Sequence, residues 1–175
     1  GKYFAEHTRD LNINFTHTDV PFDDFVKESL IPHKQSQNGP FISTGDVNGD
    51  GMEDFFIGGA AGQSGKLYIQ NSGGKFDEAA AQPWEADKAS EDMGSVMFDA
   101  DGDGDIDLYV TSGSNEFPEG SPQLEHRLYI NDGKGNFSKS SGAIPNINTS
   151  GMAVTAGDYD NDGDMDLFVG GKVTP

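Results

Sequence analysis

The sequence predicts an all-β fold of short antiparallel strands, and three observations carry that expectation. A nine-residue acidic segment occurs three times, at Asp46–Asp54, Asp99–Asp107 and Asp158–Asp166. Each copy runs straight into a short apolar stretch rich in β-branched and aromatic residues, too brief for a helix. Two near-identical runs, Leu67-Tyr68-Ile69 and Leu128-Tyr129-Ile130, lead into Gly-containing turns that close on Lys75-Phe76 and Asn136-Phe137, which is hairpin chemistry.

The first positions of the acidic segments lie 53 and then 59 residues apart, a spacing that marks an internal repeat. The repeats run over about residues 39–90, 91–148 and 149–175. The first offers strands at Phe41–Val47, Phe55–Ile57, Lys66–Gln70 and Lys75–Asp77, and the second at Gly94–Phe98, Leu108–Thr111, Arg127–Ile130 and Asn136–Ser138. Four-stranded units at this period suit the blades of a β-propeller. The third repeat reaches Lys172-Val173-Thr174-Pro175 after two strands, so the expectation is an incomplete propeller of two full blades and part of a third.

Residues 1–38 lack the acidic segment and read as a lead-in that caps the first blade. The alternation Leu11-Asn12-Ile13-Asn14-Phe15 suggests one strand, and Phe22–Leu30 a short helix. The stretch Gly113–Glu125, rich in Gly, Pro and Ser, is expected to be a surface loop. Trp84 and the methionines Met93, Met97, Met152 and Met165 are expected to pack between sheets.

Composition narrows the function. A chain of 175 residues is long enough to bury a core. Its net charge of −19 repels nucleic-acid phosphates and anionic membrane surfaces, which removes both from the expected partners. Of 30 acidic residues, 14 lie inside the three segments, so the charge is concentrated rather than spread. There is no cysteine, hence neither a disulfide nor a thiolate metal site. No apolar run approaches membrane-spanning length and no signal-peptide pattern opens the chain, so the expectation is a trimmed, secreted or cell-surface protein without membrane insertion.

The acidic segments have the composition of calcium loops, because calcium takes six to eight oxygen ligands and needs several carboxylates gathered by a tightly curved backbone. Positions 1, 3 and 5 are Asp46, Asn48 and Asp50, then Asp99, Asp101 and Asp103, then Asp158, Asp160 and Asp162. Position 9 is Asp54, Asp107 or Asp166, and position 6 is always Gly. Position 7 is Met52, Asp105 or Asp164, a variety expected where only the backbone carbonyl binds. Helix-flanked calcium loops require Glu at position 12, whereas here that position is Ile57, Val110 or Val169, so the loops are strand-flanked. About three calcium ions per chain would bring the formal charge from −19 to about −13.

The segments Asp-Val-Asn-Gly-Asp-Gly-Met-Glu-Asp-Phe-Phe-Ile-Gly-Gly, Asp-Ala-Asp-Gly-Asp-Gly-Asp-Ile-Asp-Leu-Tyr-Val and Asp-Tyr-Asp-Asn-Asp-Gly-Asp-Met-Asp-Leu-Phe-Val-Gly-Gly resemble the FG-GAP and VCBS repeats, over residues 40–175. More loosely, the chain is similar to the ASPIC/UnbV and cartilage acidic protein group. The resemblance implies a propeller like that of integrin α-subunits, with calcium between the first two strands of a blade and partners engaged on a propeller face.

The expected function is therefore a non-catalytic, calcium-binding module for adhesion or recognition of a protein or glycan. One alternative is the scaffold part of a polysaccharide-processing enzyme. Against it, His7, His17, His33 and His126 occur singly, no nucleophile or zinc motif is present, and Glu116, Glu119 and Glu125 form the only spare carboxylate cluster. A further alternative is an assembly unit that self-associates through its incomplete propeller edges.

Overall fold

The strands form where short apolar runs rich in β-branched and aromatic residues lie between Gly- and Asp-rich turns. The computed structural model describes residues 3–171, so the expected end of the third repeat, Lys172 to Pro175, lies outside the described residues. Ten strands occur among them: β1 (Ile42–Gly45), β2 (Asp54–Ile57), β3 (Lys66–Gln70), β4 (Phe76–Glu78), β5 (Asp92–Phe98), β6 (Asp107–Ser112), β7 (Arg127–Asn131), β8 (Phe137–Lys139), β9 (Gly151–Gly157) and β10 (Asp166–Gly171). They make two four-stranded antiparallel sheets, β1-β2-β3-β4 and β5-β6-β7-β8, and a two-stranded sheet, β9-β10. These are two full blades and part of a third, an open set rather than a closed ring.

The first strands of the blades, β1, β5 and β9, lie side by side. Ser95 Oγ on β5 donates to Ser43 Oγ on β1 at 3.0 Å. Between β5 and β9 the approach is so close that a Cβ on Gly94 would lie 2.4 Å from the Met152 carbonyl oxygen. Only glycine lets the blades meet there.

Facing sheets enclose the core. Phe56 and Leu67 of the first blade meet Leu108, Val110 and Tyr129 of the second, with Trp84 between them. Trp84 sits in a 3₁₀ turn (Pro83–Asp87), edge-on to Phe56 at 5.3 Å and to Tyr129 at 5.4 Å between ring centroids. Phe98, Tyr109 and Leu128 form a second cluster, against which Val154, Leu167 and Val169 of the third blade pack. Met93 is buried as expected, but Met165 is 42% exposed: the third blade has no sheet packed on its outer face among the described residues.

The lead-in departs from expectation at Leu11–Phe15, which is not a strand. Asn12 takes a left-handed φ of 64°, which breaks the extended run. The segment nevertheless lies along β4, where Phe76 N donates to Leu11 O at 2.9 Å and Asn12 Nδ2 donates to Phe76 O at 3.0 Å. The expected helix is the single turn α1 (Asp24–Lys27), capped by Asp23, whose side chain accepts from Phe25 N.

The stretch Gly113–Glu125 is only partly a surface loop, because Ser114, Asn115 and Leu124 are buried. Asn115 is held by the lead-in: its Nδ2 donates to Asp24 Oδ1 at 3.2 Å, and Lys27 Nζ donates to its carbonyl oxygen at 3.2 Å. Asp24, fully buried, also accepts from Gln35 N, Ser36 N and Ser36 Oγ. Burial pushes its carboxyl up, but the hydrogen bonds from Ser36, Asn115 and Gln35 outweigh this and hold it below the usual aspartate range.

A second buried acid has the opposite balance. Glu91 is 2% exposed and its Oε1 has no partner. Burial, reinforced by the charges of Glu116, Asp19 and Asp92, pushes it up to about 8 against the one opposing hydrogen bond, from Ser114.

Two predictions follow from these carboxyls. Asp24→Ala orphans several buried donors and lowers stability by about 2–4 kcal/mol near neutrality. Because the folded carboxyl titrates low, that deficit shrinks as pH falls below about 4, which chemical denaturation at several pH values measures. Glu91 behaves in reverse: its contribution is full below the unfolded value near 4.5 and is lost as pH rises through about 8. Glu91→Gln therefore gains melting temperature relative to the parent between about pH 5 and about pH 9, and parallel curves for the two proteins would refute the assignment.

Candidate metal centre

Each acidic segment joins the first strand of a blade to its second, so all three loops lie at corresponding ends of neighbouring sheets. Two left-handed residues per loop curl the backbone. Position 6 is Gly51, Gly104 or Gly163, with φ of 83°, 92° and 99°. Position 4 is Gly49, Gly102 or Asn161, with φ of 71°, 80° and 61°, and the sequence analysis missed its role. Its signal was nonetheless there, since glycine and asparagine are the residues that tolerate this conformation.

The curl turns backbone N–H groups inward, and the aspartates accept them. Position 1 takes two: Asp46 from Asp50 N (3.1 Å) and Gly51 N (2.7 Å), Asp99 from Gly102 N (2.8 Å) and Gly104 N (3.0 Å), and Asp158 from Asp162 N and Gly163 N (both 3.2 Å). Position 5 takes the N–H of position 7 in every loop, as Asp50 does from Met52 N at 2.9 Å, and Asp103 and Asp162 do in turn. Position 9 accepts the N–H of position 2: Asp54 from Val47, Asp107 from Ala100 and Asp166 from Tyr159, at 2.9–3.0 Å.

The result is convergence of carboxylates. Asp99, Asp101 and Asp107 each offer an oxygen within 4.8 Å of the others, and so do Asp158, Asp160 and Asp166. Oxygens bound to one calcium at about 2.5 Å lie at most about 5 Å apart, so the donors fit a single ion of that size. In the first loop Asn48 supplies an amide oxygen where the others have a carboxylate, leaving Asp46 and Asp54 as the acids at positions 1 and 9. The Asp105 side chain leans on the hairpin turn, where a Cβ on Gly133 would come 2.5 Å from its Oδ2, leaving position 7 its backbone carbonyl as a donor.

The electrostatics show strain that a cation would relieve. Asp54 and Asp107 are fully buried, and burial pushes both above the usual aspartate range, aided by neighbouring carboxylates and opposed by backbone N–H groups. Asp105 is pushed up by burial and then by Asp103 and Asp132, and Asp164 by Asp162.

Two further features of the centre were not foreseen. The second oxygen of the position-9 aspartate reaches the third strand, as Gln70 N donates to Asp54 Oδ1 and Asn131 N to Asp107 Oδ1, both at 2.8 Å. Backbone donors of this kind leave no mark in a sequence. Asn131 does more, because its Nδ2 donates to Val47 O at 2.7 Å in the first loop and to Ile106 O at 3.0 Å in the second. One 4%-exposed side chain thus ties two loops of different blades together.

The sequence profile of the FG-GAP-like repeat matches residues 46–110 and again residues 118–169, together more than half the chain. The chain belongs to the FG-GAP-like repeat family. The first FG-GAP match opens at Asp46 and closes on β6, and the second runs from the Gly113–Glu125 stretch to β10, so each crosses from one blade into the next. No curated protein matches the chain.

Asn131→Ala strips the buried Val47 carbonyl and the half-buried Ile106 carbonyl of their donor and is expected to cost about 2–4 kcal/mol. Urea unfolding checks this, and a change under about 0.5 kcal/mol would show that the link between the loops carries no load.

Proposed function

We propose that this FG-GAP protein is a calcium-braced recognition module that works outside the cell, engaging a protein or glycan without catalysis. The observation that carries the proposal is the convergence of three carboxylates in each of two loops, with the same backbone curl in the third. Nothing in the arrangement calls for an open, reactive coordination site. The aspartates are spent on holding backbone, and burial followed by neighbouring carboxylates pushes Asp54 and Asp107 above the usual aspartate range.

When bound, calcium supplies the positive charge that these carboxylates lack. The residues do the rest. Positions 1, 3, 5 and 9 present side-chain oxygens, position 7 presents its carbonyl, and position 9 holds the loop against the third strand. A cation that binds only the folded loops stabilises the fold by linkage, by about 2.7 kcal/mol per site at a concentration one hundredfold above Kd.

The extracellular setting is supported by this calcium demand and by the family. Among the described residues no helix is long and apolar enough to cross a membrane. With a net charge of −19, the module favours partners other than nucleic acid or anionic lipid.

Calorimetric titration of chelator-stripped protein with calcium, paired with thermal melting, tests the proposal. About three ions should bind, the first loop more weakly because Asn48 lowers its ligand charge, and the melting temperature should rise with loading. Magnesium should bind less well, since it demands near-octahedral geometry. An unchanged melting curve with and without chelator would overturn the structural role.

A further inference from the structure

The acidic loops of the first two blades are joined by an unbroken buried path that begins on one position-9 aspartate and ends on the other. Asp54 Oδ2 accepts from Val47 N at 3.0 Å, the Val47 carbonyl accepts from Asn131 Nδ2 at 2.7 Å, and Asn131 N donates to Asp107 Oδ1 at 2.8 Å. All four residues are at most 4% exposed. Water replaces none of these bonds unless the seam between the blades opens, so losing one leaves a buried group unsatisfied.

Asn131 is fixed within this path. Gly135 N donates to its Oδ1 at 3.1 Å, which leaves Nδ2 facing the Val47 and Ile106 carbonyls and sets the orientation of the amide. The hairpin that carries it is itself held, because Gln82 Nε2 donates to Gly135 O at 2.9 Å and a Cβ on Gly135 would lie 3.6 Å from Val47 Cγ2. The two loops therefore grip one braced hairpin from either side. Val47 is position 2 of the first loop, and Ile106 and Asp107 are positions 8 and 9 of the second. A backbone shift at these positions in either loop breaks a bond to Asn131.

We infer that Asn131 is a positioning residue for both loops at once, so that, on the reading that these loops take calcium, an ion held in one strengthens binding in the other. Ordering of the first loop fixes the Val47 carbonyl and with it the Asn131 amide, which sets Ile106 O and Asp107 Oδ1 where the second loop needs them. The loop that fills first bears the cost of ordering, the other then binds more tightly, and the effect is reciprocal. At positions 1, 3, 5 and 9 the first loop has one carboxylate fewer than the second, through Asn48, so the second fills first and helps the weaker one. Charge works in the opposite sense: an ion in one loop reduces the negative potential at the next, and salt screens that effect. Positive coupling that survives salt is therefore the mark of the Asn131 contact.

Calorimetric titration of the full chain with calcium, at about 0.15 M and about 0.5 M salt, tests this in a background where Asp158→Asn and Asp162→Asn disable the third loop. Asp46→Asn with Asp50→Asn disables the first loop, and Asp99→Asn with Asp103→Asn the second. Each pair spares position 9 and keeps an oxygen to accept the backbone N–H groups. The product of the two binding constants with both loops intact, divided by the product of those measured with one loop each, is the coupling factor. It should be at least about five at both salt concentrations. Asn131→Ala should bring it to one or below, and so should Asn131→Asp, which keeps the shape but loses both N–H donors. A residue that only stabilised the fold would lower the melting temperature and leave the factor as it was. A factor of one or below in the parent, or one that persists in either folded variant, would overturn the inference, and the parent measurement decides even if neither variant folds. Absence of binding heat from both single-loop proteins would instead remove the calcium reading, and the coupling with it.

Discussion

At the head of each second strand stands an aspartate whose two oxygens face in different directions. In Asp54 and Asp107 one oxygen holds the second residue of the acidic loop and the other holds the last residue of the third strand, both by backbone N–H groups. Loop and sheet are therefore one unit. To accept both bonds fully the carboxyl must be ionised, while burial and the neighbouring aspartates push it towards the protonated form. The shape of the loop thus depends on a charge that the protein alone stabilises poorly.

That tension links local geometry to the order of the blades. The first loop touches the second through Asn131, and the first sheet touches the second through Trp84, Phe56 and Tyr129. In repeat proteins most stability comes from such nearest-neighbour contacts. The lead-in adds a longer-range contact of the same kind, since Asp24 fixes Asn115 across more than half the chain. Blades one and two are consequently braced by the lead-in as well as by their own contacts, whereas the third rests on an apolar seam and on the close approach of β9 to β5 at Gly94.

Most of the fold was legible because its signals are periodic. The eight strands of the full blades follow from short apolar runs bounded by Gly-, Asn- and Asp-rich turns, with ends shifted by at most two residues. The acidic loops declared themselves by spacing, and Trp84 by its place between two sheets. What stayed hidden depends on contacts distant in sequence. Leu11–Phe15 has a strand's alternation, but nothing local says that Asn12 will turn left-handed. Asn115 sits in a stretch whose composition reads as surface, and only the approach of Asp24 explains its burial. Asn131 reads as an ordinary turn residue, and its role needs two loops brought together by packing.

Trp84 is the only tryptophan in the chain, and it lies wholly within the seam between the first two blades. Its indole fluorescence is thus a private signal of that seam. Emission will follow the parting of blades one and two and will be silent while the third blade frays, whereas circular dichroism averages over every strand. Comparing the two signals separates an all-or-none unfolding from one that peels inward from the exposed blade, with a chromophore the protein already carries.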